Sequence, residues 1–506
     1  MTNLLAFTGP DIAFTDVLPI LIWLGTACAA LLLGSLVPRW PRGTWAAVTA
    51  ASSVAVVVQQ IVKWQDIGRE GTGTALSDAV SVDRFAVFGT IIVAVALGLV
   101  ALVTHEYLVR EGNDGPELYV LFVTAAMGAQ IMLSANDLVV LFLGLETLSL
   151  SLYVLVASNR RREQSQEAGI KYFVLGGFAS AFFLYGIALI YGSTGSTNLT
   201  RIMAGFDASI AVERNDALLL VGIGLLLVGL AFKISAVPFH VWTPDVYEGA
   251  PSPVTAFMAS AGKVAAFTAL LRVLVTALER RVDDWRPVVW VLAIATVFVG
   301  SILAVVQTNV KRMLAFSSVT HAGFVLVGVE AAAHLGSNGM ASSMTYLLLY
   351  TVLVIGSFTV VFVVAGKGDG ASSLDDFRGL ARRRPLLALG FTVLLLAQAG
   401  VPFTGGFVAK FGVIKSAVEA DSYAIAVAAM VAAVIGAFLY LRIMVSMWLD
   451  DSAGDDSAGG AAPAVPRLAA VVIALTVAFT LFVGVFPGWL LDAAELIGVH
   501  RTASVG

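Results

Sequence analysis

The sequence predicts an all-α, polytopic membrane protein with about 14 transmembrane helices, and three observations support this fold class. The 506 residues are 58% hydrophobic and only 13% charged, whereas soluble domains are roughly one quarter charged. Apolar runs long enough to cross a hydrocarbon core of about 30 Å follow one another almost without interruption. The mean hydropathy of the chain is +0.90. A soluble enzyme is therefore excluded.

The apolar runs define the elements in chain order. A helix needs roughly 17–25 residues to cross the bilayer. An even number of spans places both termini on one side of the membrane. The predicted spans cover residues 16–37, 44–63, 83–104, 117–134, 137–157, 169–191, 217–239, 252–277, 287–306, 313–330, 341–365, 385–412, 421–448 and 467–491.

Basic residues in short loops predict the orientation, because Lys and Arg remain on the cytoplasmic side. Three basic clusters fall on one side of the predicted topology, and this side is assigned to the cytoplasm. They are Arg160–Arg162, Lys311–Arg312 and Arg382–Arg384. Arg280, Arg281 and Arg286 fall on the opposite side and weaken the bias. We therefore expect both termini on the outer side.

An internal repeat relates span 7 to span 12. GLAFKISAVPFHVW (229–242) and LLAQAGVPFTGGFVAKF (395–411) share an apolar run, a small-residue break, Val-Pro-Phe and a nearby lysine. Two five-helix units with an odd number of spans must be inverted relative to each other, as in many transporters. The first break is predicted at Ser235–Pro238, followed by a polar turn that carries Asp245 and Glu248. Helices broken at Pro238 and Pro402 should border polar cavities, since freed backbone groups cannot face lipid.

This repeat divides the chain into five predicted segments. Spans 1–3 form an N-terminal part, and spans 4–8 and 9–13 form the two inverted repeats. An acidic stretch rich in small residues follows and suits a flexible cytoplasmic linker. Span 14 and the tail form the last segment. The boundaries are 1–116, 117–277, 287–449, 450–466 and 467–506.

Composition also excludes several functions. A single cysteine, Cys28, permits neither an internal disulfide nor a cysteine-ligated iron–sulfur cluster. A net charge of −4 argues against a nucleic-acid partner. No basic residue precedes the first apolar run, so we expect this run to remain as a helix rather than act as a secretory signal. If this chain belongs to an oxidoreductase, the electrons travel elsewhere.

Charged residues within predicted spans are the candidate functional groups, because a charge near the membrane centre costs about 2.5–3.5 kcal/mol on insertion scales. Glu146 lies within span 5, Lys233 precedes the first break, and Lys263 lies deep in span 8. Moving a carboxylate relative to a buried lysine changes the proton affinity of the lysine. Glu146 is therefore expected to face Lys233 and to modulate it, although a structural ion pair is an open alternative.

Four further residues complete the set of candidates. Lys410 follows the second break, and His240 and His321 are natural intermediates between lysines, since imidazole can accept and donate a proton near neutral pH. Either histidine has a purely structural hydrogen-bonding role as its alternative. Lys171 begins span 6 and is either an interfacial anchor or part of a cytoplasmic entrance. Arginines within spans are expected to be structural, because arginine hardly ever releases its proton.

These segments resemble the antiporter-like subunits of NADH:quinone oxidoreductase, respiratory complex I, and the related Mrp-type sodium/proton antiporters. The most specific segments are SANDLVVLFLGLETLSLSLYVL (134–155), AFKISAVPFHVWTPDVYEGAPSPVTAFMASAGK (231–263) and KRMLAFSSVTHAGF (311–324). The resemblance implies a modulating pair, Glu146 and Lys233, a central relay lysine, Lys263, and an exchanging lysine, Lys410. It also implies that His321 belongs to a hydrated central axis.

The resemblance further implies a proton-translocating membrane subunit without a cofactor of its own, in a bacterial-type inner membrane. NADH, FMN, iron–sulfur clusters and quinone would be bound by the other membrane and peripheral subunits of the complex, including neighbouring antiporter-like subunits. The alternatives are a subunit of a cation/proton antiporter without redox partners, and a scaffold subunit that no longer pumps. Sodium binding would need oxygen ligands, yet the charged groups near the middle of the membrane are mostly lysines.

Overall fold

A computed structural model describes residues 13–37, 40–206, 216–449 and 465–498. Within these residues, 13 helices are long and apolar enough to cross a membrane. The remaining predicted span, 385–412, consists of two shorter helices that together extend to residue 419. The predicted all-α membrane fold is therefore confirmed.

The helices follow one another with short connections. In chain order they are α1 Leu18–Leu36, α2 Thr44–Glu70, α3 Arg84–Glu111, α4 Glu117–Ser134, α5 Leu138–Val156, α6 Glu163–Thr194, α7 Leu199–Ala204, α8 Asp216–Ile234, α9 Trp242–Gly249, α10 Ser252–Phe257, α11 Lys263–Arg272, α12 Val282–Val305, α13 Val310–Leu335, α14 Ser337–Ala365, α15 Leu380–Arg383, α16 Pro385–Ala399, α17 Gly405–Glu419, α18 Tyr423–Trp448, α19 Arg467–Val485 and α20 Gly488–Glu495. Two π-helical segments, Met258–Gly262 and Val273–Ala277, continue α10 and α11 into one span.

One small sheet escaped the sequence prediction. Strands β1 (Gly73–Ala75) and β2 (Val80–Val82) form an antiparallel hairpin between α2 and α3. Asn136 and Asn198 each donate a side-chain hydrogen bond to the backbone carbonyl of Asp78 in its turn, at 2.9 and 3.1 Å. The hairpin therefore ties together the connections that precede α5 and α7.

Both predicted breaks are present. The first separates Ile234 from Trp242, and the second separates Ala399 from Gly405. The first break is longer than predicted, and the residues expected in a polar turn after it instead lie in helix α9. The Trp242 indole donates to the Phe232 carbonyl at 3.0 Å, which satisfies one of the backbone groups that the break sets free.

The centre of the molecule is formed by the span Ser252–Ala277 and helix α13, whose apolar windows are completely buried by protein. Glycines allow neighbouring helices to approach closely. A Cβ added at Gly128 of α4 would lie 2.4 Å from the Leu148 nitrogen of α5, and one added at Gly300 of α12 would lie 2.7 Å from the Thr320 nitrogen of α13. Small residues at these crossings replace hydrophobic driving force with close backbone packing.

The order of elements within residues 117–277 resembles that within residues 287–449. Asp137 caps the N-terminus of α5 and forms a β-bridge with Asn198, and Asn309 caps α13 and forms a β-bridge with Ser373. Each unit then continues with a long helix and a broken helix. This correspondence is what two repeats require, and the predicted boundaries and inverted relation remain predictions.

Two of the basic clusters used for orientation meet at one end of the bundle, because Arg162 and Lys311 both approach Asp369, at 3.9 and 2.5 Å. Lys311 was assigned to a loop, and this assignment was wrong. Its side chain is completely buried, since α13 already begins at Val310. The predicted linker lies largely outside the described residues.

Candidate functional site

Lys233 lies in the last turn of α8, directly before the first break. Its ammonium group donates hydrogen bonds to the Ser149 hydroxyl of α5 at 2.7 Å and to the Tyr172 hydroxyl of α6 at 3.0 Å. It also lies 5.3 Å from the centre of the Tyr172 ring. Among the described residues, no carboxylate oxygen lies within the 4.0 Å of an ion pair. Neutral oxygens and an aromatic face therefore surround this buried cation.

Glu146 lies one turn before Ser149 on α5 and is partly exposed. Its carboxylate accepts a hydrogen bond from the Ser180 hydroxyl of α6. Ser149, Ser180 and Lys233 line one cleft between α5, α6 and α8. Glu146 and Lys233 are thus neighbours across two serines rather than a direct ion pair, and the modulating role of Glu146 stays a prediction.

Lys263 is the first residue of α11, directly after the π-helical segment Met258–Gly262. Only 2% of its surface is exposed. Its ammonium donates to the backbone carbonyl of Ser318 in the middle of α13, at 2.5 Å. A π-helical turn shifts the direction of the residues that follow it and often marks a functional position. Here Lys263 points from the first predicted repeat into the second.

His321 is held on both ring nitrogens. Nδ1 lies 2.6 Å from the Tyr346 hydroxyl of α14, and Nε2 lies 3.1 Å from the Tyr440 hydroxyl of α18. The Tyr440 hydroxyl also lies 2.6 Å from the hydroxyl of Ser317, one turn earlier on α13. Ser317 in turn donates to the Gln398 side-chain oxygen at 3.5 Å. This string of polar groups extends from the middle of α13 to the second break.

Lys410 lies in α17, after the second break. Its ammonium donates to the carbonyl of Ala399, the last residue of α16, at 2.9 Å, and it lies 5.0 Å from the centre of the Phe324 ring. A helix C-terminus carries partial negative charge and favours a cation. Gly400 makes room for this arrangement, because a Cβ there would lie 2.9 Å from the Lys410 side chain.

The structure places Lys171 away from this group. Its ammonium forms ion pairs with Glu167 at 2.7 Å and with Asp245 at 2.8 Å, and its side chain is 42% exposed. Asp245 also pairs with Arg312 at 2.7 Å. Burial works to raise the pKa of Asp245, but Lys171 and Arg312 together hold it below its ordinary value. Lys171 is therefore part of a surface ion-pair network.

His240 lies in the first break and is largely buried. Its Nδ1 atom has no hydrogen-bond partner among the described residues. Its ring faces that of Phe316, with centroids 6.4 Å apart. None of the hydrogen bonds described above connects it to Lys233, Lys263 or His321, so its proposed relay role has no direct contact to support it.

Sequence reasoning missed the neutral groups that surround the charged ones. They are Ser149, Tyr172, Tyr346, Gln398 and Tyr440. Some signal was available, since a polar residue one helical turn from a charged residue shares its face of the helix. Ser149 stands in this relation to Glu146. The tyrosines reach the site from distant helices and carry no local signal.

Other buried charges are paired and structural. Three such pairs join helices or helix ends: Arg272 with Asp83 at 2.7 Å, Arg286 with Glu330 at 2.8 Å, and Lys311 with Asp369 at 2.5 Å. Arg272 makes two hydrogen bonds to its carboxylate, as expected of a structural arginine. The lysines of the candidate site differ in this respect, since no carboxylate of the described residues lies within ion-pair distance of Lys233, Lys263 or Lys410.

Comparison with known proteins identifies the class of protein to which this fold belongs. The fold is that of an antiporter-like membrane subunit. Residues 135–436 match the family "NADH:quinone oxidoreductase/Mrp antiporter, TM". The chain is 42% identical to NADH-quinone oxidoreductase subunit N of Saccharopolyspora erythraea, over 97% of this chain and 98% of the relative. The chain therefore belongs to the NADH-quinone oxidoreductase subunit N family.

Two solved structures illustrate the fold. A chain of respiratory complex I from Thermus thermophilus with bound aureothin is 31% identical and superposes with a TM-score of 0.78, over 95% of this chain and 100% of that one. A chain of the Mrp complex from Dietzia superposes with a TM-score of 0.83 over 96% and 97% of the two chains, at 22% identity. The second likeness concerns the fold alone.

Proposed function

We propose that this chain is a proton-translocating membrane subunit of NADH:quinone oxidoreductase, driven by redox chemistry in other subunits. Its relatives carry the name of that subunit. With a single cysteine, this chain cannot supply the four thiolates of an iron–sulfur cluster. We therefore assign NADH, FMN, iron–sulfur clusters and quinone to the partner subunits.

The proposal rests on the hydrogen-bond partners of three buried lysines. Lys233, Lys263 and Lys410 have neutral hydrogen-bond acceptors, whereas the equally buried Lys311 has the carboxylate of Asp369. A buried charge with a counter-ion is fixed, because removing either partner leaves an uncompensated charge. An ammonium among neutral groups has no such constraint. Its protonation responds to any nearby change of charge.

The proposed path follows these lysines. A change near Glu146 alters the electrostatic environment of Lys233, Lys263 carries the proton across to α13, His321 takes it up, and Lys410 exchanges it with the far side. The contact of Lys263 with α13 and the position of Lys410 at the end of α16 support this order. Lys171 and His240 are not assigned a step.

We propose that the chain lies in the inner membrane of a bacterial cell, with its orientation set by the basic residues at one end of the bundle. The basic residues Arg162 and Lys311 share one end of the bundle around Asp369. At the other end, Asp16, before α1, forms an ion pair with Lys63 and lines a cleft with Asp83. The positive-inside rule then places the start of α1 on the outer side.

The first test is purification of the tagged chain from its native membrane in mild detergent, together with an assay of NADH oxidation. We expect flavin- and iron–sulfur-containing subunits to co-purify with NADH:quinone activity. Recovery with small membrane partners only, without such activity, would instead assign the chain to a cation/proton antiporter.

The second test addresses pumping. Lys263→Ala should leave the complex assembled and lower both proton pumping and the coupled quinone reductase rate. Lys415→Ala is a suitable control, because Lys415 is 61% exposed and pairs only with Glu419 on its own helix. Full pumping by an assembled Lys263→Ala complex would refute the relay and favour a scaffold role.

A further inference from the structure

The Gln398 amide has a defined orientation. One of its two terminal atoms lies 3.5 Å from the carbonyl of Leu394, which can only accept, so this atom is the NH2 group. The same group donates to the Ser357 hydroxyl at 2.7 Å. The side-chain oxygen of Gln398 must therefore face Ser317. Because Gln398 is 1% exposed, this oxygen depends on Ser317 for its hydrogen bond.

The orientation of Gln398 determines which group donates and which accepts in every hydrogen bond of the string. Ser317 donates its only hydrogen to Gln398, so it must accept from the Tyr440 hydroxyl, 2.6 Å away. Tyr440 then has no hydrogen left for His321 and must accept from Nε2, at 3.1 Å. The neutral imidazole carries one proton, which is therefore on Nε2. Nδ1 is left as the acceptor for the Tyr346 hydroxyl, at 2.6 Å.

If each hydrogen bond of the string were donated the other way round, two buried groups would lack a hydrogen-bond partner. With the proton on Nδ1, the Tyr346 oxygen would accept from His321, and the hydroxyl hydrogen of Tyr346 would have no acceptor among the hydrogen bonds of the described residues. Ser317 would donate to Tyr440, and the Gln398 oxygen would lose its donor. Buried polar groups without partners are costly, so the first direction is favoured at both ends of the string.

We propose that Gln398 is a positioning residue that acts through Ser317 and Tyr440 to hold neutral His321 in its Nε2–H tautomer, so that Nδ1 takes up and returns the relayed proton. This inference rests on the proposed function. The string does not itself conduct protons beyond Gln398, because an amide oxygen is not a proton carrier near neutral pH. On uptake, the Tyr346 hydroxyl hydrogen moves to Nδ1 and the incoming proton replaces it on the Tyr346 oxygen, so that His321 becomes an imidazolium. Return of the Nδ1 proton to the Tyr346 oxygen, which gives up its other hydrogen, restores the starting tautomer.

The position of Gln398 in the fold supports a role of this kind. It lies in the last turn of α16 before the second break, as Lys233 lies in the last turn of α8 before the first. Lys233 bonds to a serine of α5, and Gln398 bonds to a serine of α13. Gln398, a neutral amide, therefore lies beside the second break in the position that corresponds to Lys233, a cation, beside the first.

The test uses the intact complex and removes one hydroxyl of the string. Tyr440→Phe cuts the link between His321 and Ser317 and keeps the ring. Tyr350→Phe is the matched control, since its ring lies 4.7 Å from that of His321 and its hydroxyl takes part in none of the hydrogen bonds of the string. Ser317→Ala cuts the string one step further on, should Tyr440→Phe not assemble.

Two readouts are needed. The first is the ¹⁵N NMR spectrum of the ¹⁵N-histidine-labelled complex, in which the His321 signals are those lost in His321→Gln. We expect a protonated Nε2 and a bare Nδ1 in the wild type and in Tyr350→Phe, and a mixture of tautomers in Tyr440→Phe. The second is proton pumping, which should fall at least about fivefold in Tyr440→Phe, the factor that one ordinary hydrogen bond represents.

The outcomes separate this inference from the function on which it rests. A wild-type His321 protonated on Nδ1, or pumping by Tyr440→Phe equal to that of Tyr350→Phe, would overturn the positioning role. Full pumping by Lys263→Ala would instead overturn the proposed function. In that case the tautomer measured in the wild type would still report whether the string has the proposed direction.

Discussion

The ion pair between Lys311 and Asp369 offers a direct test of how buried charge is tolerated in this fold. Asp369 accepts hydrogen bonds from Lys311 at 2.5 Å and from the Ser252 nitrogen and hydroxyl at 2.9 and 2.8 Å, and neither member of the ion pair is exposed. Burial works to raise the pKa of Asp369, but the Lys311 ammonium and these hydrogen bonds hold it below its ordinary value. The stabilisation is therefore complete at neutral pH and is lost as the pH falls through the lowered pKa.

Asp369→Asn removes the charge and keeps the shape. Asp369 has a φ of +55°, and asparagine adopts this left-handed conformation at least as readily as aspartate, so no new backbone strain is introduced. Lys311 would keep its hydrogen bond to the Ala250 carbonyl, at 3.0 Å, and lose the negative charge of its partner. Leaving one charge of a buried pair uncompensated costs about 3–5 kcal/mol, which is roughly a hundred- to several-thousandfold change in the equilibrium between folded and opened states.

The assay is the thermal dissociation of this subunit from the solubilised complex, followed on native gels. We expect Asp369→Asn to dissociate at a clearly lower temperature than the wild type. The double variant Asp369→Asn/Lys311→Met should regain part of the loss, because the stranded ammonium is gone. The reasoning is refuted if the single variant is as stable as the wild type, or if the double variant is no better than the single one.

Three further predictions concern single substitutions, and the first two each have a matched control on the same helix. Gly406→Ala should abolish assembly or pumping, because a Cβ there would lie 1.7 Å from a carbonyl oxygen of α16, whereas Gly412→Ala on the same helix meets no atom within 4 Å and should be silent in both assays. Lys410→Ala should reduce proton pumping by roughly a hundredfold or more in an assembled complex, the lower end of the range expected for a lost proton-transfer group, and Lys415→Ala should not. Lys171→Ala should leave pumping and quinone reduction nearly unchanged, because surface ion pairs contribute about 0–1 kcal/mol.

The broken helices were predictable because their cause is local. Proline removes a backbone donor and cannot continue a helix, so Val-Pro-Phe after an apolar run marks a break at any depth. Pro238 and Pro402 both lie in such breaks. The extent of each break was less predictable. Asp245 and Glu248 lie in α9 rather than in a turn, where they pair with Arg312 from another part of the chain.

The roles of individual lysines were less predictable, because partners decide them. Lys311 appeared to be a loop residue beside Arg312, yet it is buried against Asp369, 58 residues away in sequence. Lys263 is equally buried and meets only a backbone carbonyl. Residue type and hydropathy are the same in both cases. The difference lies in tertiary contacts, which periodicity does not report.

The distribution of charge between the two halves bears on the direction of transfer. Glu146 lies nine residues after the cap of α5, and the residue equally far from the cap of α13 is Ser318. Likewise, the position before the second break is occupied by Gln398, whereas the corresponding position before the first break is occupied by Lys233. Among the described residues, neither hydrogen-bond partner of His321 is a carboxylate. Because a nearby carboxylate stabilises a protonated base, His321 would release its proton on the proposed path more readily than a histidine paired with a carboxylate would.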